Sequence, residues 1–151
     1  MLGAKTVSTT NVILNEFTTL SAYASAGATS ITVASSTMNS HARFSGNLAA
    51  GELVIIIQMQ GATMNTATTT SSTWGTVSAY NNAGKYEFDE VLSVPNSTTI
   101  NLVSALKNSY TSNGAVQFVR IPRYKTFTIN SGASITTDAW SGSIGGRCHR
   151  S

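Results

Sequence analysis

The chain has almost no cysteine, little proline and very little charge. Cys148 is the single cysteine in 151 residues, which excludes an intramolecular disulfide. That suits a cytosolic protein and equally a disulfide-free bacterial surface protein. With 2 Pro against 12 Gly, the turns are built on Gly and Asn. Charged residues make up 10% of the chain, against roughly 25% in ordinary soluble domains. Ser, Thr and Asn supply the missing polarity, a mix that suits extracellular β-proteins, and Thr favours strands. No apolar run approaches the ~20 residues of a membrane helix, so no membrane insertion is expected. The opening MLGAKTVSTT lacks the apolar centre of a signal peptide, so a secretion signal is expected to be absent from this chain.

Charge excludes more. The net charge is +3. Arg120, Arg123 and Lys125 lie close together, but no basic run or recognition motif surrounds them. They read as a solvated strand end, and no nucleic-acid partner is expected. The GxSxG, HExxH, P-loop and strand-GxGxxG-helix patterns are all missing. The 2 histidines are His41, in a polar loop where it reads as solvated, and His149. Cys148 beside His149 offers two ligands, which do not make a closed metal site. The expectation is a non-catalytic protein with no metal and no cofactor.

What is present is period two. Residues 51–61, GELVIIIQMQG, form the longest apolar run, with Gly at both ends. In a strand, Leu53, Ile55, Ile57 and Met59 share one face and Val54, Ile56, Gln58 and Gln60 the other. β-Branched residues and flanking Gly favour a strand over a helix. The first half predicts a central strand covered on both faces, and the second half one that emerges toward solvent. Residues 1–10 read as polar and frayed, 12–14 as a first edge strand, and 17–26 as a weak segment that could be helical. Residues 30–34 read as a short strand and 35–50 as a loop anchored by Phe44. Residues 62–73, ATMNTATTTSST, read as a long exposed loop. Strands at 74–80, 85–94 and 98–103, joined by short turns, predict an antiparallel meander. One helical turn is expected at 105–110. A strand follows at 115–121, with Val116, Phe118 and Arg120 on one side, and Pro122 ends it. A final β pair is expected from 126–129 and 133–136, anchored by Trp140, with Phe127, Ile129 and Ile135 on one uncovered side.

Residues 85–94 carry the candidate site. Tyr86, Phe88, Leu92 and Val94 share the face that reads as apolar, and Lys85, Glu87 and Asp89 the face that reads as solvated. Glu90 falls on the apolar face. Two resolutions are open: a β-bulge near Asp89–Glu90 that turns Glu90 out and Val91 in, which is favoured, or an inward Glu90 paired with an Arg. Glu87, Asp89 and Glu90 are the only acidic cluster and the only surface or ligand candidates. Paired carboxylates run glycoside hydrolysis at separations of roughly 5 to 9.5 Å, but no sugar-stacking aromatic is expected on their face. The calcium pattern DxDxDG is absent.

Four stretches carry a resemblance: AGATSITV at 26–33, AGELVIIIQMQGA at 50–62, YNNAGKYEFDEVLSV at 80–94, and FVRIPRYKTFTINSGASITTDAWSGSIGG at 118–146. Together they resemble an N-terminal β-rich module of large cell-surface proteins of Bacteroidetes and myxobacteria, of the gliding-motility-associated, adhesin-like kind. The resemblance implies secretion, placement at the bacterial cell surface, and a structural or adhesive role with no functional residues to transfer. It also implies Gly-rich β repeats after Gly145 and Gly146, where this sequence turns to a basic tail. GATSITV followed by GELVIII is also similar to small β-barrel modules of phage tail and fibre proteins.

The expected fold is therefore all-β: an antiparallel β-sandwich or partly open β-barrel, with the start of a further β-region. Residues 1–25 are expected as a flexible segment or edge strand, 26–125 as the antiparallel domain, 126–146 as a solenoid stub, and 147–151 as a non-native tail. The expected function is a structural or adhesive surface module. Its expected partners are following β repeats, a second copy, or surface polysaccharide. The alternatives are a polysaccharide-binding or polysaccharide-cleaving domain and a phage tail or fibre module.

Overall fold

Period-two alternation gives strands throughout. The computed structural model describes residues 2–67, 70 and 72–142, and among these there is no helix. The fold is all-β. Its strands are β1 (Leu2–Val7), β2 (Glu16–Thr19), β3 (Ser30–Thr32), β4 (Leu53–Gln58), β5 (Thr63–Met64), β6 (Val77–Ala79), β7 (Tyr86–Asn96), β8 (Thr99–Leu102), β9 (Val116–Ile121) and β10 (Tyr124–Ile129). The tail expected at 147–151 lies outside the described residues.

Six strands form one antiparallel sheet in the order β2-β9-β4-β7-β8-β3. The sheet curls until its edges meet. Leu20, just past β2, and Val33, just past β3, form an antiparallel bridge. Backbone bonds from Ser21 N to Thr32 O (3.0 Å) and from Ala34 N to Thr19 O (2.9 Å) hold that corner. The product is a partly open barrel. Phe118, Val91, Ile31, Ile100 and Leu102 fill its interior, and Leu106 and Tyr110 close over it from the loop after β8. Burying each such side chain contributes roughly 1.5–3 kcal/mol.

β4 occupies the central position that its apolar run predicts, between β9 and β7. Val54 and Ile56 face the interior, while Leu53, Ile55 and Ile57 are half-buried outside. Its second half departs from expectation. Gln58 is 0% exposed, and the chain emerges toward solvent only after it, at Met59 and Gln60. The Gln58 amide is buried because three chain segments use it: Nε2 donates to Gln60 O (2.8 Å) and Asn81 O (2.9 Å), and Oε1 accepts from Thr111 N (3.0 Å). Gly114 makes room for it, since a Cβ there would stand 2.4 Å from Gln58 Nε2.

The meander is half realised. β7 and β8 form a hairpin, but β6 pairs with β5, across the Thr-rich loop, instead of with β7. Pro95 sits within β7 at a register shift between Ser93 and Asn96, where the ladder does not need its missing N–H. Residues 105–110 form a bent loop, and Glu16–Thr19 a strand, so neither segment is helical.

The final hairpin does not form, and residues 2–7 are not frayed. The turn at 130–133 exists, with Ala133 N bonded to Asn130 O (3.0 Å) and Gly132 at φ +80°, but its two arms diverge. β10 pairs in parallel with β1, from Leu2–Tyr124 to Val7–Ile129. Ile135 then pairs in parallel with Val12. The two turns also meet, Asn11 N donating to Ser134 Oγ (2.8 Å) across a sequence separation of 123. Residues 2–12 and 124–135 are thus two stacked, bent coils, and the barrel is inserted between them.

Candidate functional site

The carboxylates of β7 lie on the opposite side from the one expected. Alternation along the strand sends Glu87, Asp89 and Val91 inward and Tyr86, Phe88, Glu90 and Leu92 outward. The pairing with β4 runs in unbroken register from Tyr86 to Glu90, so no bulge lies at Asp89–Glu90. Shifts occur only beyond Val91, against β8. Glu90 needs no rescue. It already points outward, where Arg123 Nη1 lies 3.7 Å from its Oε2 and both side chains are partly exposed.

Glu87 is a loop anchor and not a solvated face residue. Its Oε2 accepts from Lys107 N (2.8 Å), and its Oε1 accepts from Asn108 N (3.1 Å) and the Tyr110 hydroxyl (2.8 Å). Burial pushes its pKa up, but the bonds from Lys107, Tyr110 and Asn108 outweigh that and hold it below the ordinary 4.5. Burial and the Glu87 bond together raise the Tyr110 hydroxyl far above 10.0. Asp89 Oδ1 accepts from Glu90 N (2.7 Å) and Ser104 N (3.2 Å). Both carboxylates are engaged in holding the loop that closes the barrel.

The opposite face of β7 is apolar and open. Tyr86 is 58% exposed, Phe88 57% and Leu92 57%. The Tyr86 and Phe88 rings meet edge to face, with centroids 6.4 Å apart. The apolar character continues across the sheet, because Phe88 registers with Ile55, Ile55 with Val119, and Val119 with Phe17.

The other end of the barrel holds the charged residues that local pattern reading passed over. Arg120 is buried, not solvated. Its Nη1 donates to Met38 O (3.1 Å) and Gly46 O (2.9 Å), its Nη2 to Glu52 Oε1 (2.6 Å), and its guanidinium lies 3.8 Å from the centre of the Phe44 ring. The parity that puts Phe118 inside puts Arg120 inside too. Glu16 is 1% exposed and is held by His41, N at 2.9 Å and Nδ1 at 3.0 Å. Burial raises its pKa, but the bonds and charge of His41 and the charge of Arg43 bring it below 4.5. Ser40 Oγ reaches the same His41 Nδ1 at 3.1 Å. A hydroxyl and a carboxylate on one ring nitrogen cannot form a nucleophile relay, which needs them on opposite nitrogens. Arg43 holds Asp138 through two bonds, at 2.9 and 3.2 Å. Among the described residues no group of three His, Cys, Asp or Glu could hold a metal ion.

The fold defines the class as all-β, an antiparallel barrel carried on a parallel strand pair. No protein-family model matches the chain. No curated protein sequence matches it. Among solved structures it is similar to tailspike gp61 of Pseudomonas phage phi297, at 14% identity and TM-score 0.47, over 87% of this chain and 22% of that one. It is also similar to the gp54 tailspike of Acinetobacter baumannii bacteriophage AP22, solved with A. baumannii capsular saccharide, at 14% identity and TM-score 0.48, over 89% of this chain and 24% of that one. Tailspike gp49 of Pseudomonas phage LKA1 gives 17% identity and TM-score 0.44, over 88% and 24%. The chain thus spans under a quarter of the length of each tailspike.

Proposed function

We propose that the chain is a non-catalytic structural or adhesive module of an extracellular bacterial surface protein, with β7 as its contact strand. One observation carries this reading: the carboxylates of β7 are used up inside the fold, while Tyr86, Phe88 and Leu92 stand open on its outside. Exposed aromatic and aliphatic side chains in a row mark interaction surfaces. The surface-protein setting, including the gliding-motility kind, rests on the sequence resemblance. The two open rings also favour a second reading, contact with surface polysaccharide, since aromatic faces supply apolar area at low entropic cost. A phage tail or fibre setting is compatible with the same strip.

The test is retention of the purified chain on immobilised bacterial surface polysaccharides and on whole cells. Tyr86→Ala with Phe88→Ala should lower retention at least ten-fold while leaving the melting temperature nearly unchanged. Retention that survives the double substitution would remove β7 as the contact strand. Release of new reducing ends from the polysaccharide would show an enzyme instead.

A further inference from the structure

A parallel sheet of two strands standing in water is unusual. Parallel sheets occur almost only where both faces are covered. Here β1 and β10 pair only with each other among the described strands. Every residue of β10 after Tyr124 is exposed, including Phe127 and Ile129, and Ile135 beyond the turn is exposed too. Beside them an apolar groove runs along Leu14, Pro122, Tyr124, Phe127 and Ile135. Among the described residues no strand covers the β10 side of the coil.

We infer that this open side receives a third coil of polypeptide that carries no barrel, its strands adding in parallel to Tyr124–Ile129 and to Ile135. The shape of the edge selects a coil. β10, the turn at 130–133 and Ile135 make a bent line, and the first coil already follows that line through β1, the turn at Asn11 and Val12. A stacked coil matches both arms at once, whereas a straight antiparallel strand matches only one. Size excludes a second copy stacked in the same way. Coils stack about 4.8 Å apart, so a two-coil copy advances ~10 Å, while a six-stranded barrel with its side chains is ~20 Å across. Successive barrels would collide. Charge narrows the partner further. Neither β1 nor β10 contains an acidic residue, and β10 presents Lys125. The incoming strand therefore bears a neutral or acidic residue beside Lys125 and β-branched or aromatic residues over Phe127 and Ile129. This inference is independent of the β7 strip, and Tyr86 and Phe88 substitutions leave it untouched.

The first coil with Lys5 replaced by Val is the natural probe: in the register that β1 keeps on the occupied edge of β10, that position lies over Phe127, and no charge lies beside Lys125. An extra copy of the sequence of residues 2–14, carrying Lys5→Val, is fused after residue 151 through a flexible linker, which holds it near millimolar effective concentration. A scrambled copy is the control. Hydrogen exchange at residues 125, 127, 129 and 135, whose N–H groups alternate with those already given to the first coil (Asn130 N to Val7 O, Thr136 N to Val12 O), should slow at least ten-fold with the true copy and not with the scrambled one. Phe127→Glu with Ile135→Glu should abolish that gain, while the unfused chain keeps its melting temperature. Equal exchange in the true and scrambled fusions overturns the inference. So does an unfused chain that sediments as a dimer with residues 125, 127 and 129 already protected, since the occupant is then a second copy.

Discussion

A carboxylate inside a barrel persists only if its acceptor capacity is used. Glu87 meets that condition with two backbone N–H groups and a buried hydroxyl. Glu87→Ala strands those donors and should cost ~2–4 kcal/mol, read as a lower urea midpoint at unchanged slope. Glu90→Ala removes only a loose contact with Arg123 at 3.7 Å and should stay within ~0.5 kcal/mol. Equal effects would return Glu87 to solvent. Gly114 makes a second case. An added methyl meets the amide of Gln58, which cannot swing away without losing its bonds to Gln60, Asn81 and Thr111. Gly114→Ala should therefore destabilise by ~1–3 kcal/mol, and a silent substitution would mean that Gln58 is not locked. Neither role was legible beforehand. The groups that satisfy Glu87 lie 20 to 23 residues away and those on Gln58 up to 53, and no local pattern carries that information.

Strands were legible where apolar side chains alternate, and their partners were not. β4 announced itself as central because it is β-branched and apolar on both sides, and the β7–β8 hairpin because its turn is short. The first part of β7 was read inside out, since Tyr86, Phe88 and Leu92 outnumber the inward Val91, while Val94, beyond the first register shift, packs on the core as its apolar character predicts. Counting apolar residues finds the core face only when the outer face is polar, and here the outer face is apolar too. Parallel pairing is harder still. β10 is legible as a strand from its Tyr, Thr, Phe and Ile, whereas β1 is short and polar, and nothing local in either names the other as its parallel partner. Ile56 tests the element that was legible. It is 1% exposed, opposite Phe118 on one side and Glu87 on the other. Ile56→Asp places an unpaired charge at the barrel centre and should prevent folding, read as loss of the strand circular-dichroism signal. A folded variant would mean that β4 is not the central strand.

Across the whole molecule, three carboxylates tie the barrel to the segments around it. Glu16 holds the loop at His41, Asp138 joins the chain beyond the second coil to Arg43, and Glu87 holds the loop after β8. All three have folded pKa values below their ordinary 4.5, 3.8 and 4.5: for Asp138 through the Arg43 bond, and for Glu16 and Glu87 because hydrogen bonds overcome burial. A depressed carboxylate binds its proton more readily in the unfolded chain. Its contribution to stability is complete above the unfolded value and disappears as pH falls through the folded one. The melting temperature should accordingly be level from about pH 7 to 5 and fall below about pH 4.5. Tyr110 sets the other limit. Its raised pKa favours the fold up to pH 10.0 and penalises it above, as the unfolded phenol ionises first. Asp138→Asn discriminates among the three ties. It should lower stability at pH 7 and flatten the acid slope, because the variant no longer has that proton to gain. The amides of Val54 and Phe118, in the buried centre of the sheet, exchange through global opening and should therefore speed up at neutral pH by the factor that matches the lost stability. An acid slope identical in the variant and the parent would show that the Asp138 tie contributes nothing, and that the acid limit belongs to Glu16 and Glu87 alone.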